Sequence, residues 1–181
     1  MYWENKGLKN TDATLQAALQ TAQERNIQYL VVATCSGETA AKLLGSPVKV
    51  IAVTHHAGFS EPGKLSMAPE MQEKLEASGI KVLRTSHLLS GVERAVRNTF
   101  GGIYPAEIMA QTLRMLGQGV KVCVEIAGMA LDAGLIPAGK DIIAIGGSVR
   151  GADTAIIIEP AHSNRFFETK VKEIICKPRN I

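Results

Sequence analysis

Thr34, Ser36, Gly37 and Thr39 lie close together, directly behind the apolar run Leu30–Val32 and directly ahead of helix-forming residues. That order predicts a strand, a tight loop and the start of a helix. Backbone N–H groups converge at such a junction, and the positive end of a helix dipole adds to them. Hydroxyl side chains supply further donors without bulk. The chemistry this suits is the holding of an anion, and a phosphate is the natural guest. The plainer reading is a helix cap: Ser36 or Thr39 would satisfy orphan amides, a contribution of ~1 kcal/mol.

Other residues invite chemistry in a similar way. The stretch Gly146-Gly-Ser-Val-Arg-Gly-Ala-Asp-Thr154 follows a short apolar run. Arg150 within it can offer two donors to a phosphate, pair with Asp153, or lie in water. Gly146, Gly147 and Gly151 permit positive φ or close backbone approach, which suits either a flat ligand ring or a hairpin turn. His55 and His56 end the run VKVIAVT. Adjacent residues of a continuing strand point to opposite faces, so at most one of the two meets a pocket. Neither has an HxH or HxxxH partner, so a metal set is not expected.

Cys35 precedes a predicted helix start, a position that lowers a thiol pKa. A phosphatase-like loop would require Arg six positions after the cysteine, where this chain has Ala41. Glu125 interrupts an apolar helix, and its surroundings are left open. No G-x-S-x-G elbow occurs. Gly146–Gly151 precedes a predicted strand rather than a helix, which argues against a dinucleotide-binding fold.

The elements that must position these residues alternate. Leu15, Ala18, Leu19 and Ala22 mark the buried face of a first helix, capped by Asn10, Thr11 or Asp12. Leu30–Ala33 lacks polar alternation and reads as a strand covered on both faces. A short helix over Thr39–Leu44 stops at Gly45. Strands are expected at Val48–Val53, Ile80–Leu83, Asp141–Ile145, Ala155–Ile158 and Val171–Cys176, with a short edge strand near Tyr2 and Trp3. Pro69–Ala77 reads as a helix. Ser90 and Glu93 have capping-box spacing for a helix to about Asn98. Pro105 opens another helix with Ile108, Met109, Leu113 and Leu116 inward. Val120–Leu131 fits both a strand and a helix, and the following Asp-Ala-Gly134 favours helix. The sum is one α/β domain over 1–181, a three-layer αβα sandwich whose mostly parallel sheet carries an antiparallel edge hairpin. Ligands of such sheets sit beyond the carboxyl ends of the strands.

Composition narrows the function. Of the 181 residues 46% are hydrophobic but only 4% aromatic, which disfavours a base-stacking surface. Twenty basic and 17 acidic residues give a net charge of +3, with both signs interspersed. Neither nucleic acid nor a membrane is expected as a partner. Three cysteines cannot all pair. Met1–Lys9 lacks an apolar signal core, so a reducing cytoplasm is expected.

Two blocks, LVVATCSGETAAKLLG…VKVIAVT and ALDAGLIPAGKDIIAIGGSVRGADTAIII, resemble the C-terminal domain of pyruvate kinases. In that family the corresponding loops hold a sugar-phosphate effector. Nothing in the chain resembles the catalytic barrel, so pyruvate kinase activity is not implied. The chain is more similar to stand-alone archaeal-type proteins of this one domain, some of which bind flavin mononucleotide (FMN). The segments VCVEI and CKPRN also resemble that group.

The resemblance implies a phosphate loop at Thr34, Ser36, Gly37 and Thr39, and Cys35 between them is expected among the ligand contacts. It implies a second wall at Thr54, and a closing loop of Gly146, Gly147, Ser148, Arg150, Gly151, Ala152, Asp153 and Thr154. His55 and Gly58 join the expected ligand region around the flavin ring. The leading expectation is an FMN-binding protein, with or without redox activity. The alternatives are a non-enzymatic sensor of a phosphorylated metabolite and, more weakly, a small phosphatase or transferase. Self-association as a homo-oligomer is plausible for such a domain, although no residue pattern demands it.

Overall fold

The computed structural model describes residues 1–180. Seven strands form one sheet: β1 (Tyr2–Asn5), β2 (Tyr29–Ala33), β3 (Lys49–His55), β4 (Lys81–Thr85), β5 (Ile142–Gly146), β6 (Thr154–Glu159) and β7 (Lys170–Asn180). Their spatial order is β1-β7-β6-β5-β2-β3-β4. The helices are α1 (Thr11–Glu24), α2 (Glu38–Ala41), α3 (Pro69–Ala77), α4 (Gly91–Phe100), α5 (Pro105–Arg114) and α6 (Gln118–Asp132).

β2 pairs in parallel with β3 and β5, and β3 with β4; β6 runs antiparallel to both of its neighbours. The expected antiparallel hairpin is therefore present as β5–β6–β7. β7 reaches farther than the predicted Val171–Cys176, and its last residues pair in parallel with β1, Tyr2 opposite Lys177. The margin of the sheet is thus β1.

Period-two alternation divides the core. Leu30 and Val32 of β2 face a cluster containing Leu15, Ala18, Leu43 and Leu75, contributed by α1, α3 and the turn after α2. Val31 faces the other way, toward Val124, Ala127 and Leu131 of α6. β2 is covered on both sides, as its unbroken apolar run requires. Val120–Leu131 is helical. From Val120 to Leu131 α6 is buried at every position except the half-buried Val122, so its sequence shows no clean polar stripe.

The α4–α5 hairpin departs from expectation twice. Ser90 makes no capping bond. Glu93 instead turns outward from α4 and accepts the N–H groups of Ala106 and Glu107, capping α5 across space. Ile108 and Leu116, expected inward, are 54% and 48% exposed. α5 rests on α6 rather than on the broad sheet, so only a narrow stripe around Ala110 and Leu113 is covered. α4 buries no residue.

The connections create the site. From β2 the chain moves to β3 on one side; after β4 it crosses back, and β5 lies on the other side of β2. The loops after β2 and β5 diverge and leave a crevice at the carboxyl ends of these strands, the usual ligand position of such sheets.

Candidate functional site

The crevice is a cleft of about 420 Å³, within the range of small-molecule sites. Most of its walls come from four places. Thr34, Cys35, Ser36, Glu38 and Thr39 follow β2; Thr54, His55 and Phe59 follow β3; Gly147, Ser148, Arg150 and Gly151 follow β5; α6 forms the floor with Lys121, Glu125, Ile126 and Met129. Three larger hollows lie where the strands begin: two of about 950 and 860 Å³ around Asn26–Gln28, and one of about 540 Å³ beside Tyr29 and Lys49. They hold none of the hydroxyl or glycine loops.

The β2–α2 loop turns on Gly37, which adopts φ +94°. A Cβ here would also meet Met71 Cγ at 2.4 Å. Thr34 Oγ1 accepts the Gly37 N–H at 3.1 Å, and Thr54 Oγ1 donates to the Cys35 carbonyl at 2.9 Å. Those two threonines shape the loop rather than offering free donors. The N–H groups of Ser36, Glu38, Thr39 and Ala40 engage no protein acceptor among the described residues. Beside them stand the hydroxyls of Ser36 and Thr39, so the donors converge where the cleft opens.

The opposite loop needs its glycines. A Cβ at Gly147 would lie 2.3 Å from the Gly151 carbonyl oxygen, and Gly151 itself takes φ +72° against Thr11. Arg150 does not pair with Asp153. Its guanidinium lies 4.0 Å from Glu38 across the mouth of the cleft, and both side chains are largely exposed. Asp153 is fully buried and accepts from Gly7 N–H, Ser148 N–H and Thr154 Oγ1. Gly146, Ala152, Asp153 and Thr154 thus stand behind the wall and brace it. Gly37 and Gly58 also lie outside the lining; Gly58 closes its own loop through the Lys64 carbonyl at 2.8 Å.

An aromatic group occupies the β3 and β4 side. His55 stacks on Phe59 with centroids 3.8 Å apart, and His87 stands 5.2 Å from each. His55 Nδ1 lies 3.3 Å from Ser66 Oγ, and its Nε2 lies 3.6 Å from Cys35 Sγ. Of the two adjacent histidines only His55 lines the cleft. Burial lowers the pKa of His55, with His56 adding to the effect. Burial takes His87 down to about 4; the pull of Glu125 in the opposite direction is smaller. Both rings are neutral at pH 7.

Cys35 departs from expectation. Loss of hydration around its sulfur raises the thiol pKa, and Arg150 offsets this only in part. α2 spans four residues, too few to build the dipole that activates a thiol. Glu125, whose surroundings the sequence left open, is buried beside Lys121. Its carboxylate accepts the Leu89 N–H at 2.8 Å and pairs with the Lys121 ammonium.

Phe59, His87, Arg94, Arg114 and Lys121 line the cleft and were not anticipated. His87 follows β4, so the strand-end rule applied to every parallel strand would have found it. Lys121 and Glu125 have i, i+4 spacing, which was a readable signal for an ion pair.

The description "pyruvate kinase, alpha/beta domain" fits residues 12–158, most of the chain. The chain belongs to this family. Its fold as a pyruvate kinase alpha/beta domain agrees with the three layers and mixed sheet described above. The domain is also similar to crystal structures of pyruvate kinase from Cryptosporidium parvum, one of them in complex with ADP. Identity to each is 18%, with TM-scores of 0.40, 0.39 and 0.39; the matches cover 79%, 78% and 84% of this chain. They cover 21%, 22% and 24% of those enzymes, so the chain spans less than a quarter of their length.

Proposed function

We propose that this domain binds a phosphate-bearing small molecule in the cleft, with FMN as the leading candidate. The observation that carries this reading is the set of uncommitted amides of Ser36, Glu38, Thr39 and Ala40 beside two hydroxyls. A phosphate placed there would receive several N–H donors, and Arg150 would approach it from the facing loop. Such charge-assisted bonds are roughly twice as strong as neutral ones.

The rest of the cleft suits a planar group. The His55–Phe59 stack offers an aromatic wall. Ile126 and Met129 give an apolar floor, and the bare backbone at Gly147 and Gly151 allows close approach. FMN would supply hydride or single-electron chemistry when bound. The protein's part would be to hold the phosphate, flank the ring and limit water. Cys35 is a protonated thiol at neutral pH, and that weakens any reading in which it acts as a nucleophile.

A visible absorption spectrum of the purified protein tests this, followed by FMN titration of any colourless fraction. Flavin bands or saturable uptake support the proposal. Colourless protein that takes up no FMN removes the flavin. In a melting assay, a ligand at a hundred times its Kd stabilises the fold by about 2.7 kcal/mol. A shift with sugar phosphates but not FMN would turn the reading to a metabolite sensor.

A further inference from the structure

Where α4, α5 and α6 line the cleft, cationic groups outnumber carboxylates. Lys121 is 6% exposed, yet among the described residues it bonds only to Glu125. An ammonium has three donors; Glu125 neutralises the charge and takes one of them, which leaves the others for a ligand or water. Arg114 has its Nε fixed on Gln118 Oε1 at 2.7 Å, which holds the guanidinium in place and leaves its outer nitrogens uncommitted. Arg94 has no carboxylate partner among the described residues.

The nearby carboxylates are already engaged. Glu125 serves Lys121 and the Leu89 N–H. Glu93 and Glu107 line the same hollow as the arginines. Glu93 accepts two amides of α5 and keeps its charge, and Glu107 pairs with Arg97 at 2.6 Å. Four cations (Arg94, Arg97, Arg114, Lys121) thus stand against three carboxylates (Glu93, Glu107, Glu125). His87 is neutral and adds no charge. Arg94, Arg114 and Lys121 line both the main cleft and an adjoining hollow of about 80 Å³. That hollow has room for ordered waters or for one oxyanion group.

We propose that Arg94, Arg114 and Lys121 form a second oxyanion site, which takes the carboxylate or phosphate group of a small anionic ligand. This site shares the cleft with the Ser36–Ala40 segment but is built from different residues, and it stands whatever that segment binds. If that segment holds a cofactor, the second site receives an anionic substrate beside it.

Backbone amide NMR tests the assignment, with inorganic phosphate and acetate titrated separately at constant ionic strength. Either anion should shift Leu89, Ser90 and Gln118–Val122 saturably. The response should persist in Ser36→Glu, which loads only the Ser36–Ala40 segment with negative charge. It should weaken at least about tenfold in Arg94→Gln/Arg114→Gln, the scale of one lost charge-assisted bond. Unchanged amide shifts elsewhere, or the exposed Arg94→Gln alone, guard against misfolding of the double variant. Saturation by only one anion names the ligand's group. No saturable shift with either anion, or a shift that survives the double substitution, overturns the proposal. Loss of the Ser36–Ala40 response alone would count against the cradle and leave the second site standing.

Discussion

The Gly7 N–H donates to Asp153 Oδ2 at 3.0 Å, tying the entry to α1 to the loop that walls the cleft. The same carboxylate receives Ser148 N–H at 3.2 Å and Thr154 Oγ1 at 2.9 Å. Thr11 Oγ1, at the start of α1, accepts Ala152 N–H at 3.1 Å and reinforces the tie. The closing loop is therefore held from behind, leaving Ser148 and Arg150 at the cleft face.

Asp153→Ala strips a buried acceptor from three donors. Unfolding in urea should show a loss of about 3 kcal/mol. Because Asp153 does not line the cleft, phosphate-ligand affinity of the folded fraction should fall far less than in Ser36→Glu. A variant with normal stability would show that the loop is held by other contacts.

Ser36→Glu places a carboxylate beside the uncommitted amides. It should remove binding of a phosphate-bearing ligand with little change in Tm, since Ser36 is only half-buried. Thr39→Val, which keeps shape and loses a hydroxyl, should weaken binding about tenfold. Calorimetric titration with the ligand found in the binding screen checks both; full affinity in Ser36→Glu would place the phosphate elsewhere.

Helix capping in the α4–α5 hairpin should follow Glu93 rather than Ser90. Ser90→Ala should leave stability within about 0.5 kcal/mol of the parent. Glu93→Ala uncaps two amides of α5 and should cost about 1–2 kcal/mol. Equilibrium denaturation of both variants decides between the two assignments, and a reversed order would restore the capping box.

Acid should destabilise the fold through its aromatic cluster. His87 falls from 6.5 to about 4 on folding, chiefly by burial. Between these values the unfolded chain binds more protons, so stability is lost as pH falls from 6.5 through 4. His55 is lowered in the same direction. Since His87 keeps partial contact with water, its share is on the order of 1 kcal/mol after screening. Denaturation of the parent and His87→Gln at pH 7 and pH 4.5 measures it; the parent should lose more. Equal losses would mean that His87 titrates normally.

The strand-loop-helix order around Thr34–Thr39 and the glycine loop at Gly146–Gly151 were legible because both depend on local rules. Unbroken apolar runs need two covered faces, and glycines mark places where a side chain does not fit. Those rules also gave the α/β class, the parallel strands and the helix at Val120–Leu131. Tertiary structure decided the rest. The alignment of Lys121 and Glu125 with the cleft depends on how α6 crosses the sheet, and the meeting of His55 with His87 depends on β3 and β4 being neighbours. Asp153 sits in a loop that looks ligand-facing in sequence, yet its carboxylate turns inward because Gly7, distant along the chain, supplies a buried N–H. Glu93 likewise leaves its own helix for the amides of the next. Periodicity reports which face of an element is apolar; it carries no information about which distant donor or charge will stand opposite a polar side chain, and burial of that pair settles its role.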